Sequence, residues 1–404
     1  AKGVSKINYS YHRITNEEIW IHSHVLLFET SIRQIKIEVF ERPAFSPDIP
    51  SYKAFFKAEG DAEFDVFAAI FYLISRYEEY LPHKKDSYGR YAYDNSVAFK
   101  SNFLHLPLID IWLNDFKALL EDKFPDIQIT TPKFQFLPTY DIDIAWSYRN
   151  KGFKRNAGAI TKSLFTGRFR QLSERIRVLR GKSQDPFDAY EWLDELHKKY
   201  KLSPIYFFLV AAEQGKYDKN IDIESVEFQQ LVKDVASKYS IGLHPSWASG
   251  TQPSLLPKEK SSLEKLIDAP VEHSRQHFIR FELPATYRRL ITLGIYNDYS
   301  MGYGSINGFR ASTSRPFYWY DLKNDIPTHL LVQPFCFMEA TSFYEQNYTA
   351  ENAFHEIMAY LKIVQSVNGT MITIWHNSFL GSDPTFDGWK EIYEKFVAAA
   401  VSSR

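Results

Sequence analysis

Cysteine is almost absent from this sequence: Cys336 stands alone among 404 residues. No intrachain disulfide can form, and nothing in the chain signals an oxidising compartment. Long apolar runs are missing too. No stretch approaches the ~20 residues of a membrane-spanning helix. The opening Ala1-Lys2-Gly3-Val4 lacks the apolar core of a signal peptide. Charge of one sign is not in excess, since 48 Lys and Arg against 49 Asp and Glu leave a net charge of -1. That balance argues against a general nucleic-acid binder. These absences predict a cytoplasmic protein with no transmembrane segment. Apolar residues, by contrast, are abundant at 45%, with 16% aromatic, enough for a large core.

The organisation changes near residue 131. Residues 1–130 are expected to form a smaller mixed α/β domain with no assigned role. Residues 131–404 are expected to form an α/β barrel-like domain. In the first part, Ile32–Phe40 alternates in the manner of a strand. Asp65–Tyr80 and Leu108–Phe124 carry apolar residues at helical spacing, with Asp65 or Asp61 as the cap of the former. Arg76, Glu78, Glu79 and Arg90 are expected to be solvated or to pair across the domain boundary, with lining a cleft as the alternative.

From 131 onward strands alternate with helices, which implies a parallel sheet. Expected strands are Lys133–Tyr140, Pro204–Val210, Tyr239–Leu243, His273–Phe278, Leu290–Tyr296, Leu330–Phe337 and Thr370–Trp375. Expected helices are Asp188–Lys201, Val226–Tyr239, Leu255–Ile267, Ala350–Gln365 and Trp389–Val401. One segment stands apart. Residues 151–182 hold ten Lys or Arg, among them Lys154, Arg155, Arg168, Arg170, Arg175, Arg177 and Arg180, against a single acid, Glu174. It reads as a basic solvated helix, or as contact with an anionic partner or an acidic membrane surface.

The chemistry concentrates at Pro138-Thr139-Tyr140-Asp141-Ile142-Asp143. Residues two apart on a strand share a face, so Asp141 and Asp143 point the same way. Two carboxylates ending an apolar strand are costly unless a cation or a shared proton neutralises them. In parallel α/β barrels the working residues lie at the C-terminal ends of strands. Those ends supply His244, His273 or His277, and His376, and the loop Gly308–Phe317 supplies Arg310. One carboxylate with two imidazoles suits a divalent metal, Zn²⁺ first. Glu339 also sits at a strand end, without an assigned role.

These residues resemble an ordered motif set. Thr139-Tyr140-Asp141-Ile142-Asp143, His244, Arg310 before Pro316-Phe317, and Ile374-Trp375-His376-Asn377 are similar to those of the polysaccharide deacetylases, the NodB-homology carbohydrate esterases. The resemblance covers about residues 131–380, and the first part resembles a leader domain found in some bacterial members. It implies a distorted (β/α) barrel and metal-dependent removal of an acetyl group from an N-acetylated sugar or glycan. It implies Asp141 as base, Asp143 and His244 as metal ligands, Arg310 paired with Asp141, and His376 as acid. The family's second motif places a further histidine four residues after the first. Here that position is Ala248, so His277 is expected to replace it, with His273 as the alternative.

The residue types fit that reaction without the family. A metal acidifies water and polarises a carbonyl, Asp141 would accept the proton, and His376 would donate one to the departing nitrogen. Asp298, Tyr303, Trp247, Trp319 and Trp375 are candidate sugar contacts. Two alternatives remain open: a catalytically silent glycan-binding barrel, and a metal-dependent amidohydrolase acting on a small cyclic amide.

Overall fold

The strand that carries Asp141 lies deep inside the sheet, and its sequence shows why. Gln135–Ile142 begins with alternating exposure and ends with five consecutive buried residues, as a strand covered on both faces must. The structure, a computed structural model, describes residues 5–45, 50–152, 156, 161, 165 and 169–402. Two small sheets come first. β1 (Lys6–Ser10) and β2 (Glu18–His22) pair in parallel, and β3 (Phe40–Pro43) and β4 (Ser51–Ala54) antiparallel. The large sheet holds β5 (Gln135–Ile142), β6 (Ile205–Leu209), β7 (Ser240–His244), β8 (His273–Ser274), β9 (Asn297–Asp298), β10 (Phe317–Asp321), β11 (Ile326–Val332), β12 (Phe337–Met338) and β13 (Thr370–His376). Its order is β10-β11-β9-β8-β7-β6-β5-β13-β12. All pairings are parallel except the β10–β11 hairpin. The outer strands β10 and β12 do not pair with each other among the described residues.

Strand alternation divides the two faces of this sheet. Tyr140 turns outward, where its hydroxyl meets His197 Nε2 at 2.7 Å and the hydroxyl of Tyr393. These partners sit on helices Tyr190–Tyr200 and Trp389–Ser402. Asp141 consequently turns inward. Thr139 Oγ1 donates to the Thr373 carbonyl at 2.6 Å, which ties β5 to β13. The register then places Asp141 opposite His376 and Leu209 opposite His244. Gly242 in β7 is required by packing, because a Cβ there would lie 2.3 Å from the Phe207 ring.

The first 125 or so residues surround a second apolar cluster that includes Ile19, Phe55, Leu73 and Trp112, and Tyr303 also enters it. Helix Val66–Ile74 starts at Asp65, whose side chain accepts from the Ala68 N–H at 2.9 Å. It ends earlier than its apolar spacing predicts. Arg76 takes a left-handed conformation, φ 56°, and a short 3-10 turn, Tyr77–Tyr80, follows. The segment joins the large sheet's 299–316 loop through several bonds. Phe309 N–H donates to the Leu104 carbonyl at 2.8 Å and Ile109 N–H to the Ser312 carbonyl at 2.9 Å. The Asp110 carboxylate accepts from Thr313 Oγ1, Ser314 N–H and Ser314 Oγ at 2.6–2.8 Å.

Three expectations about elements are corrected. Ile32–Val39 forms no strand, and only Phe40 of the expected run enters β3; its alternation marks one buried residue, Ile35, among neighbours that reach solvent. Leu290–Tyr296 is not a strand. Leu290 lies near the end of helix Ala285–Thr292, and the strand is only Asn297–Asp298. Short apolar runs do not distinguish a buried strand from a buried helix turn. The expected strand His273–Phe278 pairs only over its first two residues. No helix among the described residues is long and apolar enough to cross a membrane.

Candidate metal centre

Asp143 is the hub of the site. It lies just past the end of β5, and three imidazoles turn toward it. His244 Nε2 is 3.1 Å from its Oδ1, and His277 Nε2 and His376 Nε2 are 3.3 and 3.5 Å from its Oδ2. Each ring is fixed from behind through Nδ1. His244 Nδ1 faces the Arg275 carbonyl at 2.6 Å, His277 Nδ1 the Asp218 carboxylate at 3.1 Å, and His376 Nδ1 the Glu339 carboxylate at 2.6 Å. Those partners only accept, so each Nδ1 carries the proton. In the neutral tautomer every Nε2 then presents a lone pair to a carboxylate that also presents lone pairs. Such an arrangement calls for a cation between them.

The pKa shifts follow from this crowding. Burial alone would push Asp143 up, yet His277 and His376 hold its carboxyl well below the usual range. Burial would lower His277, but the Asp143 carboxylate, with help from Asp218, raises it to about 9. His376 is lowered by burial and raised more by Glu339 and Asp143, to about 10. Without a metal, protons supply the positive charge.

The donor set fits a divalent ion. Ligand atoms of Asp143, His244 and His277 lie within 4.8 Å of one another, and Asp143 Oδ1 is buried with no hydrogen-bond partner. A carboxylate with two imidazoles, each held through its second nitrogen, is a zinc-type constellation. His273 is not in this group; it opens the two-residue strand β8, at the far end of the run that leads to His277. Ala248 opens a short 3-10 turn, and its backbone N–H donates to Asp218 at 3.2 Å. The position without a histidine thereby helps to hold the carboxylate that holds His277.

Asp141 is buried beside this group. Its Oδ2 is 3.8 Å from His244 Nε2, and its Oδ1 accepts from Arg275 Nη1 at 2.8 Å. Arg275 is completely buried, donates through Nε to the Tyr299 carbonyl at 3.0 Å, and stacks over Phe207 at 4.4 Å. The expected partner, Arg310, is elsewhere. It makes a bidentate pair with Glu79 at 2.6 and 2.9 Å and donates to the Gly302 carbonyl. Arg310 lies in a loop that the N-terminal segment covers, so the acid paired with it, Glu79, comes from that segment.

A cavity of about 500 Å³ opens over these groups, lined by Asp141, Asp143, His244, His277 and His376, with Tyr88 and Arg90 on another side. None of the expected sugar contacts lines it. Asp298 is fully buried and holds Ser300 through two 2.9 Å bonds. Tyr303 is buried against Arg76 at 3.4 Å. Trp375 is fully buried among Tyr393 and Trp389, because alternation sends it outward when His376 points in. Trp319 is buried too. Trp247 alone is half-buried near the cavity, 5.4 Å from Phe278.

Two functional candidates carry no readable motif, and a third, Glu339, shows only its strand-end position. Asp218 lies in a loop between β6 and the following helix. Glu339 stands at the end of β12, a strand of two residues. Arg275 sits two residues before His277 in a run whose histidines draw the eye. In the basic segment, Lys154, Arg155 and Arg168 lie outside the described residues. Helix Phe169–Leu179 exposes Phe169, Arg170 and Arg177.

Residues 1–125 match DUF7033, a family of unknown function. Solved structures that resemble the chain include a protein from Mycobacterium smegmatis assigned to the polysaccharide deacetylases, 14% identical, covering 68% of this chain and 87% of that one, with a TM-score of 0.43. They also include PuuE allantoinase, 10% identical over 68% and 88% of the two chains, with a TM-score of 0.43. The polysaccharide deacetylase Bc1974 from Bacillus cereus is 10% identical over 66% and 87%, with a TM-score of 0.32. No protein of curated function matches the sequence.

Proposed function

We propose that the chain is a metal-dependent hydrolase that removes an acetyl group from an N-acetylated sugar or glycan. The observation that carries this reading is the convergence of three imidazole Nε2 atoms on Asp143, with Asp141 alongside. The motif order described above supports it. Asp143, His244 and His277 would hold a divalent cation, with Zn²⁺ the first candidate. Bound there, the cation would polarise the acetyl carbonyl and acidify water.

The protein's own groups divide the remaining work. Asp141, held by Arg275, accepts the proton of the attacking water. His376, held by Glu339, enters as the imidazolium and donates a proton to the departing nitrogen, so acetate and a free amine leave. His376, raised to about 10 by Glu339 and Asp143, enters protonated at neutral pH, as the proton donor of this reaction must. Residues 1–130 and 131–404 are taken as the two units of the chain. The basic segment 151–182 is proposed to receive an anionic part of the substrate. Reversing Arg170, Arg177 and Arg180 should flatten the salt dependence of binding, and an unaltered dependence removes that role. A cytoplasmic location is proposed as well, which cell fractionation tests.

The test of the main proposal has two parts. Protein saturated with Zn²⁺ and desalted should retain one equivalent, with anomalous scattering among Asp143, His244 and His277. It should also release acetate from an N-acetylglucosamine tetramer, while Asp141→Asn keeps the metal and loses turnover. Absence of stoichiometric metal, or of acetate from every acetylated sugar tried, overturns the reading.

A further inference from the structure

The cavity is not built by the sheet domain alone. Tyr88 and Arg90, from the N-terminal segment, line it together with the metal-centre residues. Their loop is rigidly made. Asp86 Oδ1 accepts from the N–H groups of Tyr88 and Arg90, both at 2.9 Å, and Asp86 Oδ2 accepts from Arg90 Nε at 2.6 Å. Gly89 supplies the positive φ, 75°, that closes the turn.

Arg90 then reaches across to the sheet domain. Its Nη1 donates to the Phe278 carbonyl at 2.8 Å, and its guanidinium lies 4.8 Å from the Tyr88 ring. Gly304 leaves the space for it, since a Cβ there would sit 2.0 Å from Arg90 Nη1. The receiving residue is unusual. Phe278 and Ile279 both have positive φ, 58° and 55°, a sparsely populated conformation for large side chains that persists only when surroundings enforce it. Phe278 follows His277 directly, and their rings are 4.6 Å apart.

Around Phe278 stand three more half-buried aromatic rings. Tyr88 is 5.4 Å from it, Tyr217 5.2 Å and Trp247 5.4 Å. Tyr217 and Trp247 are 4.3 Å apart, and Tyr88 is 6.1 Å from Trp247. The Tyr88 hydroxyl makes no hydrogen bond among the described residues. One side of three of these rings is taken by a cation, Arg90 over Tyr88, Arg280 over Trp247 at 4.3 Å and Lys216 over Tyr217 at 4.9 Å, and the flat apolar area left beside the cavity is suited to the apolar faces of pyranose rings.

We propose that this cluster is a second sugar-ring subsite, with Tyr88 donated by the N-terminal segment and Phe278 set by Arg90. The preferred substrate then has at least one further ring beyond the one that loses its acetyl group, and the N-terminal segment takes part in choosing it. This rests on the reading of the cavity as a glycan site. Arg90 is here a positioning residue, acting through Phe278.

The test uses the full chain with Zn²⁺ and two probes, the N-acetylglucosamine monomer and tetramer, with affinities measured calorimetrically in an Asp141→Asn background. Tetramer should bind more tightly than monomer. Tyr88→Ala should reduce that preference about tenfold, the scale of one lost aromatic stack, while Tyr88→Phe keeps it. Arg90→Ala should reduce the preference as well, with partial rescue by Arg90→Lys. Equal tetramer affinity in Tyr88→Ala and its parent overturns the inference, as does equal loss in Tyr88→Phe or failure of the parent to prefer tetramer. Acetate release by the chain with Asp141 intact separates the two claims. Release without a ring preference leaves the hydrolase and removes the subsite, and no release with a preference leaves a binding site and removes the hydrolase.

Discussion

The most demanding prediction concerns Glu339→Gln. Glu339 is fully buried, and its Oε1 accepts from both Nδ1 and the backbone N–H of His376 at 2.6 Å. His376 is held at about 10, against an ordinary value of about 6.5. That gap corresponds to about 4–5 kcal/mol at about 1.4 kcal/mol for each tenfold in proton affinity. Glu339 is the largest attractive contributor, ahead of Asp143. Glutamine keeps the size and an acceptor oxygen but removes the charge, so ring placement should survive while the imidazolium weakens. The alkaline limb of kcat/KM should move to lower pH by at least about one unit, and turnover near pH 9 should fall at least about twofold. The assay is acetate release across pH, with bound zinc measured in the same samples. If the two limbs coincide while zinc and neutral-pH turnover are retained, His376 is not the acid that Glu339 sustains.

Other consequences are equally concrete. Asp218→Asn removes the carboxylate behind His277 and should weaken zinc binding about 10–100-fold in a competition titration. The raised values of His277 and His376 stabilise the metal-free fold fully below about pH 6.5. That stabilisation is lost as pH rises through about 9 and about 10. Thermal melts of metal-free protein should fall over that range, and added zinc should flatten the curve. Because zinc must displace the His277 proton, its affinity should climb with pH up to about 9, read by titrations in paired buffers. Glu79→Gln leaves Arg310 and Arg76 buried without full compensation and should cost about 3–5 kcal/mol in denaturant unfolding.

The legible parts of the sequence were those where one strand encodes both place and chemistry. In β5, β7 and β13, apolar residues fix the strand, and the polar residue at its end must then lie on the rim. Asp141, Asp143, His244 and His376 announce themselves this way. The arginine beside Asp141 did not. Arg275 and Arg310 are both buried, and only the folded chain shows that Glu79 reaches Arg310 first. Asp218 stabilises an imidazole from a loop where no periodicity marks it, and Glu339 shows its strand-end position in the sequence but not the imidazole it holds. Asp298, Tyr303 and Trp375 have the right chemistry for sugars, yet packing turned them inward.

The bonds that stitch 299–316 to the N-terminal segment bear on how such a protein can be cut or recombined. Cleaving the gene near residue 130 would separate Leu104, Ile109 and Asp110 from their partners on the loop. Each fragment would then carry a raw face of backbone donors and charges into water. Neither half should express as a well-behaved soluble product, and an N-terminal segment from an unrelated chain should not substitute. The two parts are expected to be inherited as a pair.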